Sequence, residues 1–220
     1  YAAEIMLGFE RVIGRTYNII PLAANHKLHF PVKPDPRYET DISFVGNRLP
    51  TKEIVFKKLL FPLFKKYRVR IYGPGWTMKD KALRAISGLG RKSRIFSLAD
   101  WANGKRITVS PEDERKVYSS SKICLNIHEY YTDGRCKNFS NEREFKIPAC
   151  GGFQISDNVI GIEEFFVPGK EIVIAENSED WFQKIDFYMR NSEVRKQIQR
   201  NGTRRALCDH TYIHRARMIL

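Results

Sequence analysis

The chain has 220 residues, 42% hydrophobic and 12% aromatic, which supplies a sizeable core for one large domain and excludes a disordered chain. Its net charge of +13 calls for an anionic partner, and nucleic acid, an anionic membrane surface and a nucleotide-sugar all meet that demand. No apolar run approaches the ~20 residues that span a bilayer, so no transmembrane segment is expected.

The four cysteines, Cys124, Cys136, Cys150 and Cys208, form no C-x-x-C pair and none stands at zinc spacing from a histidine. That usage fits a reducing, cytoplasmic compartment. Cys124 lies in an apolar run and is expected to be a buried thiol. Cys136 lies in a polar loop and is expected to be exposed. The abrupt opening YAAEIMLGF carries no signal peptide and reads as the continuation of a longer chain.

Residues 1–40 do not read as an independent domain. A mixed apolar run covers Glu4 to Arg15, an extended piece covers Asn18 to Ala23, and Pro31, Pro34 and Pro36 mark a connector. From residue 41 onward strands alternate with helices, which predicts an α/β domain with a parallel sheet covered on both faces. The strand Asp41 to Gly46 is followed by a loop and a helix from Lys52 to Lys66, its last turn disturbed by Pro62. The next strand, Arg68 to Tyr72, leads into Gly73-Pro74-Gly75-Trp76. This loop is no dinucleotide fingerprint, because the third glycine is missing and Pro74 lacks the N–H a phosphate would use. Trp76 reads as a core plug or a stacking surface for a base. Ser87 to Lys92 reads as a glycine turn with basic flanks, and Ile95 to Trp101 as a further short strand.

Pro111, followed by Glu112, Asp113 and Glu114, opens a helix. Lys122 to His128 is an apolar strand ending in polar residues. Ligands of open α/β sheets sit beyond the carboxyl ends of strands, which places Asn126 and His128 at a ligand edge. His128 there could position a sugar, act as an acid or base, or be structural. A polar, aromatic loop from Glu129 to Phe139 is expected to face the ligand. Ser178 is expected to cap a helix from Glu179 to Arg190. An Arg-rich helix from Ser192 to Cys208 reads as a solvated face, and Asp209 to Tyr212 begins the last helix.

The segment NEREFKIPACGGFQIS, Asn141 to Ser156, organises the rest. It predicts a helix capped by Asn141, with Glu142 and Glu144 in the first turn, ended by Gly151 and Gly152. Arg143 and Lys146 are three apart and share one face. Cations beside the free N–H groups of a helix start make an anion site for a phosphate or diphosphate; an amphipathic helix with solvated charges is the plainer alternative.

Residues 143–152, REFKIPACGG, resemble the R-x-F-E-x-x-A-C-G-G motif of the CgeB-like (spore-maturation type) glycosyltransferases. DISFVGN (41–47), LNIH (125–128), FFVPGKEI (165–172) and HTYxxR (210–215) resemble that family in the same order. The likeness extends over roughly residues 19–220. It implies the C-terminal, Rossmann-like donor-binding domain of a GT-B fold spanning residues 41–220, with residues 1–40 a remnant of the N-terminal GT-B domain and its connector. The implied reaction moves a sugar from a nucleotide-diphosphate donor, expected to be a UDP-sugar, to a hydroxyl of a glycan, lipid or protein acceptor. No metal is implied, no D-x-D pair is placed for one, and no further cofactor is expected. The resemblance implies donor contacts from Gly46, Asn47, Arg48, Lys52, Asn126, Arg143, Glu144, Lys146, Gly151, Gly152, Glu163 and Glu164, with His128 as the catalytic candidate. The Arg and Lys side chains would stabilise the departing diphosphate. It also implies that the C-terminal helix packs toward the first domain.

One departure stands out. Lys146 occupies the place where the family has a Glu that holds ribose hydroxyls, and Lys cannot accept those hydrogen bonds. Three rival functions follow. One is a nucleic-acid or other polyanion-binding domain, although the basic residues are dispersed and no RNP, KH or helix-turn-helix pattern is present. The second is a catalytically inactive sugar-nucleotide sensor. The third is a nucleotide-sugar epimerase on the same fold.

Overall fold

The computed structural model describes Gly8 and residues 10–15, 20–105, 109–128, 140–159 and 161–219. Five parallel strands form one sheet: β1 (Thr40–Val45), β2 (Val69–Tyr72), β3 (Ser121–Asn126), β4 (Gln154–Asp157) and β5 (Val173–Ala175), in the order β2-β1-β3-β4-β5. Ile42 stands opposite both Val69 and Ile123, and Ile155 stands opposite both Leu125 and Val173. These apolar residues line up across the sheet because both faces are buried.

Side-chain alternation divides the core. Ile42, Phe44, Ile123, Leu125, Ile155, Val173 and Ala175 face one side, where they meet Phe56, Leu59, Leu60, Leu63, Trp181 and Ile185. Val45 and Cys124 face the other side, with Val117, Tyr118, Ile147 and Cys150. The helices that supply these side chains are α1 (50–63), α4 (Pro111–Ser120), α5 (Arg143–Ala149) and α6 (Ser178–Arg190). Between β2 and β3 lie α2 (Met78–Lys92) and α3 (Phe96–Gly104), and the chain ends in α7 (Ser192–Asp209) and α8 (Tyr212–Arg217).

Several local expectations are corrected. The helix expected over Lys52 to Lys66 is a broken one. It starts as a 3-10 turn and widens to a π turn at Phe56–Leu60 before Pro62. Pro62 has no N–H to give, and the N–H of Phe61 reaches back to the carbonyl of Phe56. The glycine turn expected at Ser87 to Lys92 is the last part of α2. The strand expected at Ile95 to Trp101 is α3. Packing decides both: a Cβ on Gly90 would lie 2.9 Å from the backbone nitrogen of Ala99, so Gly90 lets the two helices touch. Asn177, one residue earlier than Ser178, caps α6 by accepting from the N–H of Asp180. Asp209 closes α7, and Thr211 precedes α8.

Residues 20–39 lie against the domain. Ala24 donates its N–H to the carbonyl of His210 and accepts from the N–H of Tyr212. Arg215 donates to the carbonyls of Pro21 and Leu22. Val32 and Asp35 donate to the hydroxyls of Ser119 and Ser120. The HTYxxR end thus packs on the connector within this chain. The Arg-rich α7 is only partly solvated, since Arg195 is buried and donates to the carbonyl of Tyr188. Cys124 and Cys150 are buried and Cys208 is exposed; burial pushes the Cys124 thiol up to about 12, which makes it inert at neutral pH. Cys136 and the loop from Glu129 to Phe139 lie outside the described residues.

Candidate functional site

The chain leaves β1 toward β2 on one side, and β3 pairs on the other. The crevice between the carboxyl ends of β1 and β3 is therefore the switch point at which open α/β sheets hold ligands. A cavity of about 270 Å³ sits there, lined by Gly46, Asn47, Leu49, Lys52, His128, Asn141 and Arg143. Gly46 follows β1, and a Cβ on it would come within 3.0 Å of the Phe44 ring and 3.2 Å of Arg143 Nη1. The Gly73-Pro74-Gly75-Trp76 loop supports this turn from behind. Gly46 donates to the carbonyl of Tyr72, Arg48 donates to that of Pro74, and Trp76 Nε1 donates to the Gly46 carbonyl at 2.7 Å. Trp76 packs among Phe44, Phe56 and Phe61, so it serves the core.

Two cations converge on one backbone oxygen. Lys52 is buried, and its Nζ donates to the Ile127 carbonyl at 2.9 Å. Arg143 Nη2 donates to the same carbonyl at 3.1 Å, and its Nε donates to Asn126 Oδ1 at 3.1 Å. Asn126 Oδ1 also accepts from Asn141 Nδ2 at 2.9 Å. The Arg143 guanidinium thus rests on neutral acceptors and over the Phe44 ring, with no carboxylate partner among the described residues. Its charge is left to face the cavity.

His128 is buried at the cavity wall. The Asp157 carboxylate, at the end of β4, takes both of its near donors. The backbone N–H lies 2.9 Å from Oδ2, and Nδ1 lies 2.5 Å from Oδ1. On the other side Nε2 stands 3.6 Å from Glu144 Oε2. Burial alone would lower the His128 pKa; Asp157 first, and then Glu144, outweigh it and hold the imidazole up to about 9. At neutral pH the ring is an imidazolium with two donors and no acceptor, suited to giving a hydrogen bond or a proton rather than taking one. The Nδ2 of Asn126, Nε2 of His128, Oδ1 of Asn141 and both carboxylate oxygens of Glu144 are buried without a hydrogen-bond partner among the described residues. Such a cluster is rare away from binding sites.

The remaining residues singled out from sequence fall elsewhere. Arg48 turns away from the cavity. It forms a two-point pair with Glu53 and lies over the rings of Phe61 and Trp76, in an adjoining cleft with Gly75, Lys81 and Arg84. Lys146 does not share a partner set with Arg143: its Nζ lies 3.0 Å from Glu114 and 3.3 Å from Glu142. Burial would lower its pKa, yet Glu114 and Glu142 raise it. Glu144 is wholly buried beside His128. Gly151 has φ +74° and packs against Pro31. A Cβ on Gly152 would lie 2.8 Å from Ile147 Cγ2 and 3.2 Å from Cys124 Sγ. Neither glycine borders the cavity. Glu163 and Glu164 stand exposed on the turn Ile162–Glu164 and do not line it either.

The start of α5 also differs from expectation. Glu142, not Asn141, precedes the helix, and the N–H groups of Glu144, Phe145 and Lys146 are bonded back to the carbonyls of Asn141 and Glu142. No row of free N–H groups is left for an anion. Asn141 instead spends its amide on Asn126. Sequence reasoning missed Asp157 and Leu49 at or beside the site. The rule that drew attention to Asn126 and His128, that polar residues at a strand's carboxyl end face a ligand, applies equally to Asp157.

A family model described as glycosyl transferase-like matches residues 52–220. The spore protein CgeB of Bacillus subtilis (strain 168) is 25% identical over 199 residues, covering 86% of this chain and 54% of that protein. The chain therefore spans about half the length of the curated relative it matches. Among solved structures, the sucrose-phosphate synthase of Thermosynechococcus elongatus is similar with a TM-score of 0.63 at 16% identity, over 99% of this chain and 55% of that one. Anabaena Alr3699/HepE in complex with UDP has a TM-score of 0.63 at 11% identity, over 99% of this chain and 60% of that one. The same protein in complex with UDP-glucose gives 0.63 at 12% identity, with the same coverage. The shared fold is the Rossmann-like α/β domain of GT-B glycosyltransferases.

Proposed function

The chain belongs to the glycosyl transferase-like family, and we propose that its switch-point cavity binds the diphosphate of a nucleotide-sugar for transfer of the sugar to an acceptor hydroxyl. The observation that carries this reading is the convergence of Arg143 and Lys52 on the Ile127 carbonyl beside the buried His128. Among the described residues Arg143 meets only neutral acceptors there, so a diphosphate would supply the charge it lacks. His128 would donate Nε2–H to a phosphoryl oxygen or to the leaving group as negative charge develops. Gly46 lets a ligand approach the backbone next to Arg143. A UDP-sugar is the expected donor, since the Anabaena protein of the same fold was solved with UDP and with UDP-glucose. The reaction is proposed to run without a metal in the cytoplasm, with the acceptor, a glycan, lipid or protein, held largely by an N-terminal GT-B domain.

A second reading rests on Lys146. The position that resembles the family's ribose-binding Glu carries an ammonium engaged by two carboxylates, which fits a domain that senses a sugar nucleotide without turning it over. Calorimetric titration with UDP, GDP, TDP and ADP tests the site itself. Binding of one nucleotide, weakened at least tenfold (about 1.4 kcal/mol) by Arg143→Ala, is the expected result. No binding by folded protein at millimolar nucleotide would overturn the assignment of this cavity. Donor hydrolysis or transfer by the protein would separate enzyme from sensor.

A further inference from the structure

The hairpin of α2 and α3 contributes no residue to the cavity lining. The two helices meet through a seam of small and apolar residues, with Leu83, Ser87, Gly90, Ala99 and Ala102 buried. The turn between them is fixed by its own backbone: Ser93 donates to the carbonyl of Leu89, Arg94 to that of Arg91 and Ile95 to that of Gly90. Arg94 takes φ +59° to make the reversal. Helix α2 starts at the carboxyl edge of the sheet beside Trp76 and runs 15 residues, so the turn stands about 20 Å along the axis from that edge.

The tip so held carries an unusual combination. Leu89, Ile95 and Phe96 are 62, 50 and 63% exposed, all within the eight residues that make the turn. A rigid turn that leaves three large apolar side chains in water loses the hydrophobic stabilisation they could give elsewhere. Among them stand Arg91, Lys92 and Arg94, all exposed. Over residues 78–105 the exposed cations also include Lys79, Lys81, Arg84 and Lys105. The carboxylates in that span are Asp80, which is buried, and Asp100. Apolar side chains ringed by cations match one environment chemically: apolar groups in the acyl boundary and cations among anionic headgroups.

We propose that the tip of the α2–α3 hairpin is a binding site for an anionic lipid surface. Leu89, Ile95 and Phe96 enter the interface, and Arg91, Lys92 and Arg94 pair with headgroup phosphates. A second copy of this chain fits less well, because two such tips would bring like charge together. A nucleic acid would use the cations but leave the three apolar side chains without a role. This is attachment by a tip and not by a spanning segment; among the described residues no helix is long and apolar enough to cross a membrane.

Sedimentation with vesicles of phosphatidylcholine, with and without phosphatidylglycerol, tests the proposal. Binding is expected only with the anionic lipid. It should weaken at least tenfold in Ile95→Ser/Phe96→Ser, and at least tenfold in Arg91→Ser/Lys92→Ser/Arg94→Ser, with circular dichroism unchanged. Phe96→Trp should retain binding and add blue-shifted emission in the presence of the anionic vesicles. The proposal fails if anionic vesicles do not bind the chain. It also fails if the Ile95/Phe96 substitutions leave binding unchanged, which would assign the cations to a soluble polyanion such as RNA. A concentration-dependent dimer abolished by the same substitutions, with no vesicle binding, would overturn it in favour of self-association.

Discussion

Arg143 and Lys146 stand one turn apart on the same short helix, yet their surroundings differ. Arg143 rests on an amide oxygen and a backbone carbonyl at the cavity wall. Lys146 sits between the carboxylates of Glu114 and Glu142, and Glu114 also accepts from the Tyr118 hydroxyl. His128 combines the two: Asp157 meets its Nδ1 side, while Nε2 stands 3.6 Å from Glu144 without a hydrogen-bond partner among the described residues. A cation that already has its counter-charge holds the fold together, whereas one bonded to neutral acceptors keeps attraction in reserve for an anionic ligand. The tertiary partner, not the residue type, separates the two roles.

The largest expected effect breaks the Lys146 side of this comparison. Lys146→Ala leaves Glu114 buried without its cation and should cost about 3–5 kcal/mol in urea unfolding. Lys146→Glu, which restores the residue of the resembling family, should cost more, because three carboxylates then crowd together. The exchange Lys146→Glu/Glu114→Lys should recover much of the loss. A Lys146→Glu protein as stable as the parent would show that the pair is not what holds this position.

The His128 cation gives a pH signature. Its folded pKa is raised from 6.5 to about 9, so its contribution is fully present below the unfolded value and is lost as pH rises through the folded one. Stability should fall by about 3 kcal/mol between pH 6.5 and pH 9, and the slope should vanish in His128→Asn. A flat profile in the parent protein would remove the imidazolium from the site.

Gly152→Ala should cost about 1–3 kcal/mol by overpacking against Ile147, with nucleotide affinity unchanged at temperatures where the variant is folded. That outcome assigns the glycine to the turn; a selective loss of affinity would return it to the ligand. The smallest stability effect should come from Arg143→Ala, within about 1 kcal/mol, even though the same change weakens nucleotide binding at least tenfold. Equal losses in stability and binding would erase the difference between Arg143 and Lys146.

The alternation of strands and helices, and with it the parallel sheet, was legible in the sequence because short, largely apolar runs such as ISFV and ICLNI suit strands buried on both faces. Pro111 and its acidic followers marked α4 through local chemistry that needs no distant partner. The hairpin reads from sequence as a turn and a strand, because Gly88 and Gly90 look like breakers until a second helix is seen to need the space at Gly90. At the site, strand-end logic reached Asn126 and His128 but passed over Asp157, and the family resemblance supplied Gly46. The three-residue spacing grouped Arg143 with Lys146, and the resemblance counted Gly151 and Gly152 among the donor contacts. Sequence by itself determined the fold class, the edge of the sheet where the cavity lies and the excess of positive charge, all of which follow from local pattern and composition. Only the tertiary structure decided which cations face the cavity, because Glu114, Asn126, Ile127 and Asp157 reach α5 and His128 from other strands and helices.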